Sequence, residues 1–228
     1  MITRLLDLVF SSLAIICLSP LLILIVLVLR FSGEREVFYV QQRIGRNGKS
    51  FGLYKFATML KNSPKIGSGT ITLQNDPRVL PVGRLLRSSK INELPQLLNV
   101  LIGDMSLIGP RPLTKEGYMS YSDSGRIKIY SNRPGLSGVG SIIFRNEEKL
   151  LSEGQNALEV YKEVIAPYKE AAESWYTDHA SLTTYLGLIV LTVFVVFSRN
   201  SDLIWRYFPD LPKPGKELNT LFEASNVK

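Results

Sequence analysis

The sequence predicts an α+β fold, mostly helical, in which a small cytoplasmic domain hangs on a membrane-embedded, re-entrant N-terminal helix. Three observations carry that expectation. Residues 8–29 contain no charge, and about 20 apolar residues are enough to cross a bilayer core. The next thirty or so residues are strongly basic, with Arg30, Arg35, Arg43, Arg46, Lys49, Lys55 and Lys61 against Glu34 and Glu36; basic excess beside a membrane segment marks the cytoplasmic side. Beyond them, short apolar runs at strand and helix spacing alternate with glycine and proline punctuation. The division expected is 1–30 membrane helix, 31–185 cytoplasmic domain, and 186–228 the end of an apolar helix with an interfacial tail.

The N-terminal run exceeds the ~7–15 residues of a signal-peptide core, and no small-residue cleavage site follows it. Ser19-Pro20 sits at its middle, where proline removes a helical hydrogen bond and favours a bend. Arg4 and Arg30 flank it on both sides, so charge identifies no outer end. A helix broken at Ser19 and Pro20 that enters and leaves by the cytoplasmic face satisfies both facts. Simple crossing is the alternative, because membrane helices tolerate proline.

After the membrane run, Val37 to Val40 reads as a strand, Arg46-Asn47-Gly48-Lys49 as its hairpin turn, and Phe51, Leu53 and Tyr54 as the returning strand. Most of the basic residues here suit a solvated or lipid-facing surface. Residues 63–74, rich in Gly, Ser and Thr, read as a mobile loop. Asp76-Pro77 opens a turn, and Val82 to Arg87 forms a short helix with Arg84 and Arg87 on one face.

Ser88 to Pro112 is the chemically dense part of the chain. Leu94, Leu97, Leu98 and Leu101 recur at near-helical spacing, so Glu93 stands on the first turn of a helix or just before it. Pro95 suits that turn, and Gly103 ends the helix. Gly109-Pro110-Arg111-Pro112 is a stiff loop that fixes one guanidinium. An acid at a helix start facing a clamped arginine is an arrangement for phosphoryl chemistry. Asp104 either binds a metal or caps the turn after Gly103.

Farther on, Lys115 to Tyr130 reads as a surface helix interrupted near Ser122 to Gly125. Arg133 to Gly140 is a glycine-rich loop that either approaches a phosphate or makes a tight structural turn; it lacks the strand and helix context of a P-loop. Residues 158–176 form an amphipathic helix. Ala180 to Phe197 is a second uncharged run, short for a crossing and equally suited to lying in the interface or packing on the first segment. Trp205, Tyr207, Phe208 and the prolines beyond read as an interfacial, then loosely ordered, tail.

Asn92-Glu93-Leu94-Pro95-Gln96 and Gly103-Asp104-Met105-Ser106-Leu107-Ile108-Gly109-Pro110-Arg111-Pro112 resemble the signature of the bacterial sugar transferases, the monotopic polyprenyl-phosphate phosphoglycosyl transferases. Gln42-Arg43-Ile44-Gly45, Tyr54 to Met59 and Gly83 to Arg87 are similar to further motifs of that family, and the likeness runs over about residues 1–185. The resemblance implies a catalytic domain that moves a sugar-1-phosphate from a UDP-sugar to polyprenyl (undecaprenyl) phosphate and releases UMP, the first membrane step of glycan assembly. It implies Mg²⁺ as cofactor and the bacterial inner (cytoplasmic) membrane as location, with the domain on the cytoplasmic face. By this resemblance the catalytic pair is Asn92 and Glu93, the substrate-binding residues are Lys55, Arg87, Arg111 and Pro112, and the metal ligands are Glu93 and Asp104. The chain departs from the family where Asn92 stands in place of the nucleophilic Asp, which gives a second reading: a catalytically silent, nucleotide-sugar-binding membrane scaffold. The stretch Ser141 to Glu148 also differs, and bears on which sugar is chosen.

Bulk composition narrows the partners. A net charge of +7 over 228 residues suits an anionic partner such as a nucleotide or an acidic lipid surface. The basic residues form no stripe interleaved with stacking aromatics, so nucleic acid is not expected. One cysteine, Cys17, and one histidine, His179, exclude a disulfide framework and a zinc site of the usual spacing. The oligomeric state is left open, a homodimer included.

Overall fold

The computed structural model describes residues 2–63, 66, 76–145, 147–150, 157–198 and 202–226. Most of the loop expected over 63–74, and the start of the tail at Arg199, lie outside the described residues.

Helix α1 (Ile2–Phe31) is continuous through Pro20. The helix thus runs on past Ser19-Pro20, where a bend is expected, and the reason is local. Pro20 has no N–H to give to the carbonyl of Ile16, four residues back, and the Ser19 hydroxyl donates to that same carbonyl at 2.8 Å. Serine replaces the bond that proline removes.

The ends of α1 are held differently. Near its start Arg4 donates to the carbonyls of Val100 (2.5 Å) and Leu101 (2.9 Å). Asp7, which is buried, accepts from the Ser106 hydroxyl (2.9 Å), the Leu107 N–H (2.8 Å) and the Tyr185 hydroxyl (2.8 Å). Near the other end Ile25 and Leu29 pack with Phe56 and Leu86. Between Ser11 and Ile25 no residue of α1 is buried, and Leu13, Ile16, Leu21, Ile23 and Leu24 are exposed. Among the described residues α1 is the one helix long and apolar enough to cross a membrane. A straight helix of 30 residues is about 45 Å long, and α1 meets the rest of the protein toward both ends.

Strands β1 (Phe38–Ile44) and β2 (Ser50–Phe56) pair antiparallel from Phe38↔Phe56 to Ile44↔Ser50. A 3-10 turn over Arg46–Gly48 closes them, as the Asn-Gly pair predicts. Helix α2 (Pro81–Ser88) and a 3-10 turn over Ile91–Glu93 lead into α3 (Gln96–Ile102), which ends on Gly103 at φ 102°. Asn99 ties α3 to β2: its Nδ2 donates to Gly52 O at 2.8 Å and its Oδ1 accepts from Tyr54 N–H at 3.0 Å.

Strand β3 (Ser106–Ile108) is followed by α4 (Lys115–Met119), α5 (Asp123–Ile129), β4 (Gly135–Ser137) and α6 (Val139–Ile143). The single interrupted surface helix is thus two helices, each with its own hydroxyl cap, Thr114 and Ser122. The second is not a surface element throughout, because Ile129 and the following Tyr130 are buried. Strand β4 lies parallel to β3, Ser106 opposite Gly135 and Ile108 opposite Ser137. A Cβ on Gly135 would stand 2.1 Å from Gly109 N, and one on Gly138 2.1 Å from Gly109 O. The glycines of the loop thus serve a close crossing of two backbones, the structural alternative of the two expected.

The chain closes with α7 (Glu147–Leu150), α8 (Ala157–Val160), a π-helical turn over Tyr161–Ile165, α9 (Ala166–Asp178), α10 (Leu182–Ser198), α11 (Leu203–Tyr207) and α12 (Lys216–Asn226). Helix α10 packs one side, Tyr185, Leu188, Leu191 and Val195, into the main core and leaves Leu186, Val190, Val193 and Phe194 exposed. Ile204, Leu211 and Leu218 join that core, and Trp205 Nε1 donates to Pro212 O at 3.0 Å. The described tail is thus folded back on the domain rather than loose, because its apolar residues complete a core. The boundary drawn at 185/186 falls inside α10.

Candidate active site

A cavity of about 850 Å³ lies between β1, β2, α2, the Ile91–Glu93 turn and the α6–α9 segments. It falls within the roughly 300–1,000 Å³ of ligand sites.

The Ser88–Pro112 stretch forms one wall. Lys90 takes a left-handed backbone (φ 61°), and the turn after it places Asn92 and Glu93 at the cavity. The start of α3 and the Asn99 bonds hold that turn against β2, which supplies Lys55. Lys55 Nζ is 3.8 Å from Glu93 Oε1, and the two side chains are 18% and 22% exposed. Arg87, from the last turn of α2, and Arg111 line the same space. Pro112 is buried at a narrow recess shared with Arg43, Lys55, Glu93 and Arg111. The structure thus brings together Lys55, Arg87, Asn92, Glu93, Arg111 and Pro112.

Asp104 stands apart. It follows α3 at the end opposite Glu93 and does not line the cavity. Among the described residues no three His, Cys, Asp or Glu side chains cluster as a metal site. Magnesium needs only one or two carboxylates when phosphates supply other ligands, and of the two expected ligands Glu93 lines the cavity.

Arg111 is clamped on several sides. Its N–H donates to Glu173 Oε1 at 3.0 Å, and its carbonyl accepts from the Tyr130 hydroxyl at 3.1 Å. Glu173 is 2% exposed, and its Oε2 has no hydrogen-bond partner among the described residues. Burial pushes the Glu173 carboxyl up to about 7, against the Arg111 N–H and nearby Lys169.

Two groups belong to the site although the sequence reading named neither as a site residue; Glu147 does fall in the Ser141–Glu148 stretch read as bearing on the sugar. Arg43, taken for surface, faces the cavity: its Nη1 donates to Pro112 O at 3.2 Å and its Nη2 to Gln41 at 2.7 Å. The Glu147–Lys169 pair on the opposite wall is 2.5 Å long. Only the motif position of Arg43 hinted at the first. Nothing in local spacing joins Glu147 to Lys169.

The charges interlock. Burial lowers the Lys55 ammonium to about 7, with Arg43, Arg111 and Arg87 adding to the effect and Glu93 opposing it. Burial would raise Glu93, but Lys55, Arg111, Lys90 and Arg43 together hold its carboxyl at about 2. Burial and Arg111 bring Arg43 to about 10. This end of the cavity is an excess of cations around one permanent carboxylate, suited to a diphosphate. Asn92 beside it is 5% exposed, and its Oδ1 has no hydrogen-bond partner among the described residues.

A family model described as bacterial sugar transferase matches residues 1–199. Over 161 residues the chain is 39% identical to the exopolysaccharide production protein ExoY of Rhizobium meliloti, covering 64% of this chain and 71% of that protein. It is 35% identical over 190 residues to an uncharacterized sugar transferase, EpsL, of Bacillus subtilis, covering 83% and 84%. An undecaprenyl-phosphate galactose phosphotransferase of Salmonella typhimurium is 31% identical over 211 residues, 86% of this chain and 40% of that protein.

Proposed function

The chain belongs to the bacterial sugar transferase family, and on that premise we propose that it transfers a sugar-1-phosphate from a UDP-sugar to polyprenyl (undecaprenyl) phosphate. The products are a polyprenyl-diphosphate sugar and UMP. The observation that carries this reading is the meeting of Lys55, Arg87 and Arg111 with Glu93 in one cavity. The relative named as an undecaprenyl-phosphate galactose phosphotransferase supports the acceptor and the reaction class.

In this reading Lys55, Arg87 and Arg111 hold the diphosphate oxygens and offset their charge. Glu93, with the substrate's phosphates, would hold Mg²⁺, which would supply further neutralisation. Asn92 is a weak nucleophile, because its amide nitrogen lone pair is delocalised, and Glu93 is tied to Lys55. The attacking group is then an oxygen of the lipid phosphate. It bonds to the phosphorus that bears the sugar, the bridging P–O bond breaks, and the electron pair leaves with UMP. Asp104, which does not line the cavity, holds no metal in this account.

α1 lies in one leaflet with both ends on the cytoplasmic face of the bacterial inner membrane. Its contacts with the domain toward both ends, and its bare apolar middle, support that placement over a simple crossing. The lipid phosphate then reaches the cavity from the membrane surface.

The test is turnover of radiolabelled UDP-sugar with undecaprenyl phosphate and Mg²⁺, for this chain and for Asn92→Asp. Labelled lipid from both, with a covalent sugar-phosphate adduct trapped only in Asn92→Asp, is the expected result. Turnover by Asn92→Asp alone would instead favour the silent nucleotide-sugar-binding scaffold, the reading that the unpartnered Asn92 Oδ1 keeps in play.

A further inference from the structure

The part of the cavity lined by Phe144, Glu147, Tyr161 and Lys169 has no assigned part in the phosphate chemistry. Lys169, on α9, is 2% exposed. Its ammonium donates to Glu147 Oε1 at 2.5 Å and lies 4.9 Å from the centre of the Phe144 ring and 5.2 Å from that of Tyr161. All four side chains line the cavity. Tyr161 opens the π-helical turn Tyr161–Ile165, an irregularity that recurs at functional sites.

Burying a lysine and a glutamate together costs more in desolvation than their attraction returns unless further hydrogen bonds are made. An ammonium has three N–H donors and a carboxylate two acceptor oxygens, and among the described residues one bond between them is recorded. Both side chains line the cavity, a donor beside an acceptor, next to aromatic rings. That suits a neutral polyol, whose hydroxyls both give and accept and whose C–H faces lie on rings. A second phosphate is disfavoured by the carboxylate.

The position is informative too. Arg111 and Arg43 act electrostatically on Glu147 as well as on Glu93, so both carboxylates lie within electrostatic reach of the same two guanidinium groups. In a nucleotide sugar the sugar is bonded directly to the reacting phosphoryl group, whereas the base lies a ribose and a second phosphate away. We infer that Glu147 and Lys169, with Phe144 and Tyr161, form the subsite that recognises the sugar hydroxyls and thereby selects the sugar. This rests on the cavity being the nucleotide-sugar site.

The test uses the purified full chain and calorimetric binding. Its ligands are UDP, the tightest of UDP-glucose, UDP-galactose and UDP-N-acetylgalactosamine, and the monodeoxy analogues of that sugar. At least one analogue should bind about 10- to 100-fold more weakly than its parent, the range for an unmade bond to a buried charged partner. In Glu147→Gln that difference should vanish while UDP affinity stays within about twofold. Analogues that all bind like the parent overturn the inference, and they do so on the unmodified chain, without a variant having to fold. Equal weakening of UDP and UDP-sugar in Glu147→Gln overturns it as well, since the pair then reads the nucleoside. Failure of UDP itself to bind the unmodified chain removes the cavity assignment beneath it, a separate and distinguishable result.

Discussion

At one end of the cavity Lys55, Arg43, Arg87 and Arg111 surround a single carboxylate, Glu93; at the other, Lys169 and Glu147 neutralise each other between two aromatic rings. Among the described lining residues the first end carries an excess of positive charge, which suits an incoming anion. The second is balanced already and offers hydrogen bonds rather than charge. In the proposed function, one site would thus separate the task of holding a diphosphate from the task of recognising what the diphosphate carries. Changes at the first end should act on every substrate alike, and changes at the second should act on some substrates and not others.

The sharpest way to break that division is Arg111→Ala. It should lower kcat/KM for UMP release by about 10²- to 10³-fold, the range for loss of one group that stabilises developing charge, and by the same factor for every UDP-sugar tried. Arg111→Lys should recover only part of this, because an ammonium lacks the guanidinium fork. A loss that varied strongly with the sugar would move Arg111 to the other end of the site.

A smaller effect comes from pH. With its ammonium lowered to about 7 by burial, Lys55 loses its proton as pH rises through neutrality. KM for the nucleotide sugar should then increase by about tenfold, the worth of one charge-assisted bond, with uptake of a proton on binding. Below that pH the lysine is charged and KM is flat. Lys55→Arg should flatten the rising limb, since guanidinium stays protonated there. Steady-state KM across the pH range, and calorimetry in buffers of different ionisation enthalpy, measure both.

The smallest effect sharpens the boundary of the charged end. Arg84 shares a helix face with Arg87 in sequence terms, but it is exposed and does not line the cavity. Arg84→Ala should leave kcat/KM within about twofold, as surface substitutions do. A large loss would extend the anion-binding surface beyond the cavity.

The same two ends differ in how far the sequence discloses them. Asn92, Glu93, Arg111 and Pro112 fall in one short stretch, where a helix start, a glycine stop and a proline-stiffened loop are local signals that survive folding. Glu147 and Lys169 meet only because α6 to α9 fold over the cavity, and no periodicity links them. Arg43 was read as surface because a basic run near a membrane segment is usually solvated; the hairpin register turns it toward Pro112 instead. The tail misled for the converse reason. Its prolines and aromatics look interfacial, while Ile204, Leu211 and Leu218, spread thinly among polar residues, are what the core collects. The glycine-rich loop is ambiguous in any sequence, because backbone crossing and phosphate approach both demand a missing side chain.

The hold of Arg4 on the carbonyls of Val100 and Leu101 has a last consequence. Those carbonyls end α3, the helix whose opposite end carries Glu93. The apolar segment is therefore a strut of the reaction centre and not an interchangeable tether. A generic lipid anchor spliced in its place would supply attachment alone and strip the brace from the helix on which the proposed chemistry turns.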